Sequence, residues 1–433
     1  MKIALIHSHL NGRGGSQRYV LEIAREMQKQ GVDINIYAFQ YDKKSCYPEL
    51  VGDLSIQCVE LVNGSRVPLV NNKLDVRGRL KNIIKKLLIE SSVSNSLGMD
   101  YLMSMWGTKK TSRKLAQLLD STKGYDLIFA HEEPLSIWAA IEYKKMSGIP
   151  IYWFCYDTIE KWYLEWKDEH KASILRSLIL KGIMFKYDKK IIRKYVDRIA
   201  VLDNKMVDKV CNLYGVTPLV RRGGVPKDIL NYDRCNYIRE KYAVDCSRVV
   251  VFSLTRFINY RRVHDLFELY EKLPEDIREK LFFYINAPIT DGRYYDVCEK
   301  KYKKIFQNSN YIIDTSYPNN DEEMYKMFRS SDIFIFPNQD QTWGHAPLEA
   351  MASGCLALVS NGCGIHEVIS GITSTVFDVG DIDSLIKVFT KVLQNEDYIE
   401  LARIQKSYVS NNLTWEKVCE LYVKDFHDIV YTS

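Results

Sequence analysis

The chain of 433 residues has no run of 18 apolar residues, so no conventional membrane-spanning helix is expected. Its ten cysteines are scattered with no CxxC pair. A protein of this length needs no disulfide staples, and reduced thiols of a cytosolic protein are the expectation. No internal repeat or low-complexity tract interrupts the sequence, which argues against a solenoid or a disordered array. The glycines near the start do not form GxGxxG with an acidic residue after the second strand, so a dinucleotide site is not supported. The opening MKIALIHSHL has a single Lys and no small-residue cleavage pattern. It reads as a first buried strand and not as a signal peptide.

What is present points to a globular protein. Hydrophobic residues make up 46% and charged residues 27% of the chain, and its length suggests two domains that each bury a core. Charge is unevenly spread. Residues 1–225 carry 36 Lys+Arg against 24 Asp+Glu, and residues 226–433 carry 24 against 31. The basic first half suggests an anionic surface or acceptor for that domain, without the signature of a nucleic-acid partner.

Apolar runs alternate with amphipathic helical stretches, the pattern of parallel sheets with crossover helices. In the first half, strands are expected at Ile3–Ile6, Asp33–Phe39, Leu127–Ala130, Ile149–Phe154 and Arg198–Leu202. In the second they are expected at Val249–Leu254, Leu281–Ile285, Tyr311–Ile313, Ile333–Phe336 and Leu356–Val359. Val20, Ile23, Ala24 and Met27 mark one face of a first helix. Residues 60–120 read as an insertion carrying helices around Lys81–Glu90 and Thr111–Leu119. The boundary between domains is expected near Gly223-Gly224-Val225-Pro226, where turn residues meet the change in charge.

The most informative stretch is 337–367, PNQDQTWGHAPLEAMASGCLALVSNGCGIHE. It reads as a strand end, a turn containing Gly344, a helix opened by Pro347 and a buried strand. A helix N-terminus offers unpaired N–H groups and the positive end of the dipole, which suits a phosphate-bearing ligand. Pro347 fits the first helical position, and Gly344 allows close approach of the backbone. Glu349, expected in the first turn, can reach a sugar hydroxyl.

This stretch resembles the donor-site signature of the family 4 retaining glycosyltransferases (glycosyl transferases group 1). That signature is Glu, seven residues, Glu, with a glycine three after the first Glu, then an Ala-Met-Ala-small-Gly run. Gly344, Glu349 and Ala350-Met351-Ala352-Ser353-Gly354 match in place, while Gln341 stands where the family has its first Glu. The resemblance implies the GT-B fold, an α/β architecture of two Rossmann-like, doubly wound parallel-sheet domains facing a central cleft. It divides the chain into 1–224, 225–410 and a helix, 411–433, that crosses back to the first domain in the Thr414-Trp415 region. It further implies that position 341 contacts donor-sugar hydroxyls and that Glu349 holds the nucleotide ribose. Gln341 can both accept and donate a hydrogen bond but carries no charge.

Other segments fall into place beside that signature. Arg256 and Arg261 follow the strand Val249–Leu254, and two arginines after a strand end can cradle a diphosphate. The family has Gly-Arg and then Lys here; Thr255 and Arg261 replace the Gly and the Lys. Gly14 and Gly15 join the first strand to the first helix, where the family's glycine loop lines the cleft beside donor phosphates and acceptor. His131 in HEEP stands where the family often has His-Glu-Pro, near the donor sugar and reacting centre. His345 and Ala346 supply backbone N–H groups beside Gly344. Asp381-Ile382-Asp383 opens a helix and is read as capping, not as a metal site. No metal or other cofactor is expected, the nucleotide-diphosphate sugar being a substrate.

Lys171–Arg198 mixes eight Lys and Arg residues before Arg198 with apolar and aromatic ones. It reads either as a domain helix with a solvated basic face or as a segment lying on an anionic membrane. The expected partners are a UDP- or GDP-sugar donor and a glycan or lipid-linked acceptor, in the cytoplasm or at the inner membrane face. Gln341 also motivates a second reading, a catalytically silent nucleotide-sugar-binding subunit. A nucleotide-sugar epimerase relative matches the donor signature less well.

Overall fold

The computed structural model describes residues 1–61, 99–122, 124–132, 135–158, 186–318, 320–394 and 397–432. The expected helix at Lys81–Glu90 and the start of the basic stretch, 171–185, lie outside them. The chain separates into two compact units. One comprises Met1–Arg221 with Cys419–Ser433, the other Arg222–Val418.

Among the described residues the first unit has seven strands: β1 (Lys2–Leu10), β2 (Asp33–Tyr41), β3 (Ile56–Leu61), β4 (Leu127–His131), β5 (Ile151–Phe154), β6 (Arg198–Val201) and β7 (Leu219–Val220). They lie in the order β3-β2-β1-β4-β5-β6-β7, every pair parallel. The second unit has β8 (Val249–Leu254), β9 (Leu281–Asn286), β10 (Tyr311–Asp314), β11 (Ile333–Phe336), β12 (Leu356–Ser360) and β13 (Val376–Phe377). Their order is β10-β9-β8-β11-β12-β13, again all parallel. Both sheets are doubly wound, as the alternation of apolar runs and helices indicates.

Strands covered by helices on both faces need apolar side chains at every position. Ile333-Phe334-Ile335-Phe336 and Ile151-Tyr152-Trp153-Phe154 are buried throughout. Strand β1 runs four residues beyond the expected Ile3–Ile6, because pairing with β2 continues to His9↔Gln40 and Leu10↔Tyr41. Strands β3, β7 and β13 were not anticipated. The last two span two residues each at sheet edges, too short to print a periodicity. Residues 111–119 fall within a longer helix, Met99–Asp120.

Each sheet has one place where its connections diverge. In the first unit β1 leads to β2 on one side, while β4 leads to β5 on the other. In the second, β8 and β11 are the corresponding pair. At such a switch point the carboxyl ends of neighbouring strands are left uncovered by a crossover, which makes it the natural ligand position of an open parallel sheet.

The helix Trp415–Thr432 starts in the second unit, and from Cys419 onward it belongs to the first. Tyr422 and Phe426 pack on Phe129, with ring centroids 5.4 and 5.0 Å away. Tyr422 also pairs with the Tyr19 hydroxyl at 2.9 Å. Asp425 accepts two hydrogen bonds from Arg221, at 2.7 and 2.6 Å, and a third from the Tyr152 hydroxyl at 2.8 Å. The pair is largely buried, so removing one partner strands the other charge away from water. Asp425→Ala is therefore expected to destabilise the fold by about 3–5 kcal/mol. Denaturant unfolding monitors this, and a loss below about 1 kcal/mol would show the helix is held by its aromatic face alone.

Candidate functional site

The second unit's switch point gathers most of the sequence-selected residues. Beyond β8 the chain passes exposed Arg256 and buried Phe257 into a short turn, Asn259–Arg261. The Arg261 guanidinium lies over the Tyr260 ring, 5.1 Å from its centroid, and its Nη1 donates to Gln341 Oε1. With its amide oriented to satisfy both ends, Asn338 accepts from Arg261 Nη1 at 2.5 Å and donates to Arg261 O at 3.1 Å. Burial lowers the Arg261 pKa, and the like charge of Arg256 pushes it further down. Among the described residues neither arginine forms an ion pair. Two nearby cations, one of them held by neutral partners, make a local positive field that an anion would relieve.

The loop from β11 to the next helix is fixed by the loop after β12. Gln341 N donates to Gly362 O (3.2 Å), Gly364 N to Gln341 O (2.9 Å) and Ile365 N to Trp343 O (2.9 Å). Gly362 is sterically required, since a Cβ there would lie 2.4 Å from Gln339 O and 2.6 Å from Asn338 O. Gly344 caps the helix His345–Ala352 with φ 110°, in the region that favours glycine.

This start corrects two expectations. Pro347 is the third helical residue, not the first, because glycine at positive φ lets the helix begin directly at His345. Proline is still tolerated there, since the first-turn N–H groups have no acceptor within the helix. Glu349 consequently falls in the second turn, not the first, and is only 5% exposed. His345 and Ala346 are half-buried at the helix start, the His345 ring 6.2 Å from Trp415. Asp381 caps the helix Ile382–Leu393 through bonds of 3.0 Å from Asp383 N and Ser384 N. Among the described residues no cluster of His, Cys, Asp and Glu has metal-site geometry.

Gly14, Gly15 and His131 come together separately, at the switch point of the first unit. Gly14 is the N-cap of α1 (Gly15–Lys29), and its extended backbone lies so close to Gln17 that a Cβ would sit 2.2 Å from Oε1. Open space surrounds the Cβ position of Gly15. His131 ends β4, with its ring 4.1 Å from that of Phe129 and 5.3 Å from that of Phe154. Its Nδ1 lies 3.2 Å from the Tyr156 hydroxyl, and its buried Nε2 has no hydrogen-bond partner among the described residues. Burial holds the imidazole far below its ordinary pKa, with a smaller push from His7. His131 is therefore neutral, able to donate or accept a hydrogen bond but not to supply a positive charge.

Sequence reasoning missed Asn338, Gly362 and His7, and saw Glu132 beside His131 without giving it a role. The glycines flanking Cys363 were the only readable sign of the tight loop contact. Nothing in HSH distinguished a buried His7 from an ordinary strand residue.

Two family descriptions match the chain in tandem: Glycosyltransferase Family 4 over residues 13–223 and Glycosyl transferases group 1 over 236–411. Curated relatives are distant. A serotype-specific mannosyltransferase WbdA of Escherichia coli is 21% identical over 46% of this chain and 24% of its own length. An N-acetyl-alpha-D-glucosaminyl L-malate synthase of Bacillus anthracis is 20% identical over 45% of this chain and 49% of its own. The chain thus spans half or less of the length of these relatives. Among solved structures, a Thermosynechococcus elongatus sucrose-phosphate synthase superposes with TM-score 0.68 at 13% identity over 100% of both chains. Anabaena Alr3699/HepE in complex with UDP and glucose gives 0.66 at 11% identity, covering 99% of this chain and 100% of that one. WaaG, involved in lipopolysaccharide biosynthesis, gives 0.62 at 15% over 100% of both. The shared fold is GT-B.

The neutral His131 carries a linkage consequence. In the unfolded chain a histidine titrates near its ordinary 6.5, whereas the folded chain resists that proton. Its contribution to stability is present above that value and is lost as pH falls below it. His131→Asn should flatten the decline of the melting temperature between about pH 7 and about pH 5. An unchanged slope in calorimetry would mean that His131 protonates freely in the fold.

Proposed function

Because the chain belongs to the family 4 glycosyltransferases, we propose that it moves a sugar from a UDP- or GDP-sugar to a glycan or lipid-linked acceptor with retention at the anomeric carbon. The observation that carries this reading is the pair Arg256 and Arg261, without a carboxylate partner among the described residues, at the β8–β11 switch point. They stand beside a loop that ends in a helix N-terminus.

In the proposed reaction the bond between the anomeric carbon and the diphosphate breaks as the acceptor hydroxyl attacks on the same face, and the leaving phosphate takes the hydroxyl proton. The protein stabilises the negative charge that develops on the diphosphate. Arg256, Arg261 and the backbone N–H groups of Gly344, His345 and Ala346 are assigned that task. Fixed donors of this kind contribute about 3 kcal/mol each where single ones have been removed, so several together lower the barrier substantially. Glu349 is assigned to the ribose, Gln341 to the donor sugar, Gly14 and Gly15 to close backbone approach, and His131 to the reacting centre.

Gln341 in place of a carboxylate has a direct electrostatic effect on this assignment. A Glu bonded to Arg261 would cancel part of its charge; the neutral amide orients the guanidinium and leaves that charge for the diphosphate. The described part of the basic stretch, the helix Lys186–Tyr195, exposes Lys186, Lys190, Arg193 and Lys194. It supports peripheral contact with an anionic membrane at the cytoplasmic face, where a lipid-linked acceptor would lie.

Incubating the full chain with a panel of UDP- and GDP-sugars and octyl glycosides tests the transferase reading. Nucleotide-sugar binding without turnover for every combination, membrane extracts included, would leave a silent binding subunit instead. Arg256→Ala should lower turnover by about a hundredfold with modest change in donor affinity; retained turnover removes Arg256 from charge stabilisation. Gln341→Glu is expected to change donor preference or rate, and identical kinetics on the whole panel would place position 341 away from the sugar.

A further inference from the structure

We propose that the Glu132 carboxylate is a clamp for the acceptor, receiving a hydrogen bond from a sugar hydroxyl and fixing its orientation, a role that rests on the transferase reading above. The residue orients and does not take the proton, which in the proposed reaction leaves with the diphosphate.

The backbone gives the first sign. Glu132 has φ 72°, the left-handed region that a side chain with Cβ enters only under compulsion. The compulsion is visible: the Ser136 hydroxyl sits between the carbonyls of His131 and Glu132 and shares its one proton with them, pinning the turn after β4. Strain of this kind persists where the surrounding structure over-determines a useful geometry.

The side chain is aimed from two further elements. The Ser16 hydroxyl, in the first turn of α1, donates to Glu132 Oε1 at 3.2 Å. The other oxygen, Oε2, lies 3.5 Å from Nε2 of His7, a fully buried residue on β1. The tautomer follows from the fold. His9 N–H donates to His7 Nδ1 at 3.3 Å, so in the neutral ring the proton resides on Nε2, near the carboxylate but not hydrogen-bonded to it.

Capacity remains on that carboxylate. Among the described residues it accepts one hydrogen bond, where an ionised carboxylate has room for about four, and no Lys or Arg pairs with it. Its side chain is 29% exposed, unlike His7 at 0%. It stands at the carboxyl end of β4 beside β1, the switch point of the first sheet. A pre-aimed, partly open acceptor of hydrogen bonds at that place fits a polyhydroxylated ligand. A purely structural carboxylate would have its oxygens consumed and its backbone relaxed.

Binding of octyl glucoside and octyl mannoside to the full chain, below their micellar concentrations, is measured by saturation-transfer NMR, with UDP and GDP affinity measured by calorimetry in parallel. Glu132→Ala is expected to weaken glycoside binding tenfold or more with nucleotide affinity unchanged, and Glu132→Gln to recover part of the loss. Glu132→Gly should show the same weakening together with a raised melting temperature, because glycine adopts the positive φ without strain. Equal glycoside affinity in wild type and Glu132→Ala overturns the clamp, as does failure of wild type to bind either glycoside. Weakened glycoside binding in both Glu132→Ala and Glu132→Gly, in a chain that turns over no donor, keeps Glu132 as the residue that orients the glycoside and defeats the transferase reading alone.

Discussion

A guanidinium oriented by neutral groups keeps its full charge for whatever arrives, and the second unit is arranged around such a group. Arg261 is bonded to Gln341 and Asn338, two amides that fix its plane without cancelling it. The loop that carries those amides is tied on one side by Gln339 N donating to Tyr260 O at 2.8 Å, and on the other it lies against the loop after β12, a contact that depends on Gly362. Any side chain there would meet two carbonyl oxygens, so the charge of one residue depends sterically on another a hundred positions away. Burial works against the charge, as does Arg256 nearby. The balance tips towards a bound anion, which would relieve both penalties at once.

The architecture was legible because parallel strands buried on both faces must be apolar at every position. Ten of the thirteen strands among the described residues announce themselves by composition alone, whereas β7 and β13 are two-residue edges with no pattern to detect. The donor signature was legible for another reason: glycine, proline and carboxylate at fixed spacing describe a turn leading into a helix. Its register was misread by two residues. Proline suits any place in a first turn, so Pro347 does not mark the helix start. Gly344, at φ 110°, does. Asn338 was invisible, because an asparagine in a loop carries no signal until the loop's partner is known. Glu132 was seen but given no role, since a positive φ cannot be read from a glutamate.

Charge placement separates the two switch points. The first unit sets two buried histidines, a half-buried third and one carboxylate at the ends of β1 and β4, and desolvation keeps His7, His9 and His131 low in pKa. Glu132 raises His7 and His9 in part, without outweighing burial. The result is a hydrogen-bonding surface with one net negative group. The second unit presents two arginines. A surface of neutral rings and a carboxylate discriminates by hydroxyl geometry, whereas a pair of arginines discriminates by charge.

This assignment runs against the overall balance of the sequence, and distance explains why. The basic excess lies in residues 1–225 and the acidic excess in 226–433, yet the candidate anion site falls in the acidic half. Fields from exposed charges decay over about 8–10 Å at moderate salt, so net charge of a domain says little about a site within it. What decides is the immediate shell. Around Arg261 that shell is Gln341, Asn338 and the Tyr260 ring, with no carboxylate bonded to the guanidinium. Much of the first half's excess is carried instead on helices such as Lys186–Tyr195, whose charges face solvent. A charge count over a domain therefore describes which surfaces it approaches, and the residues around one guanidinium describe what it binds.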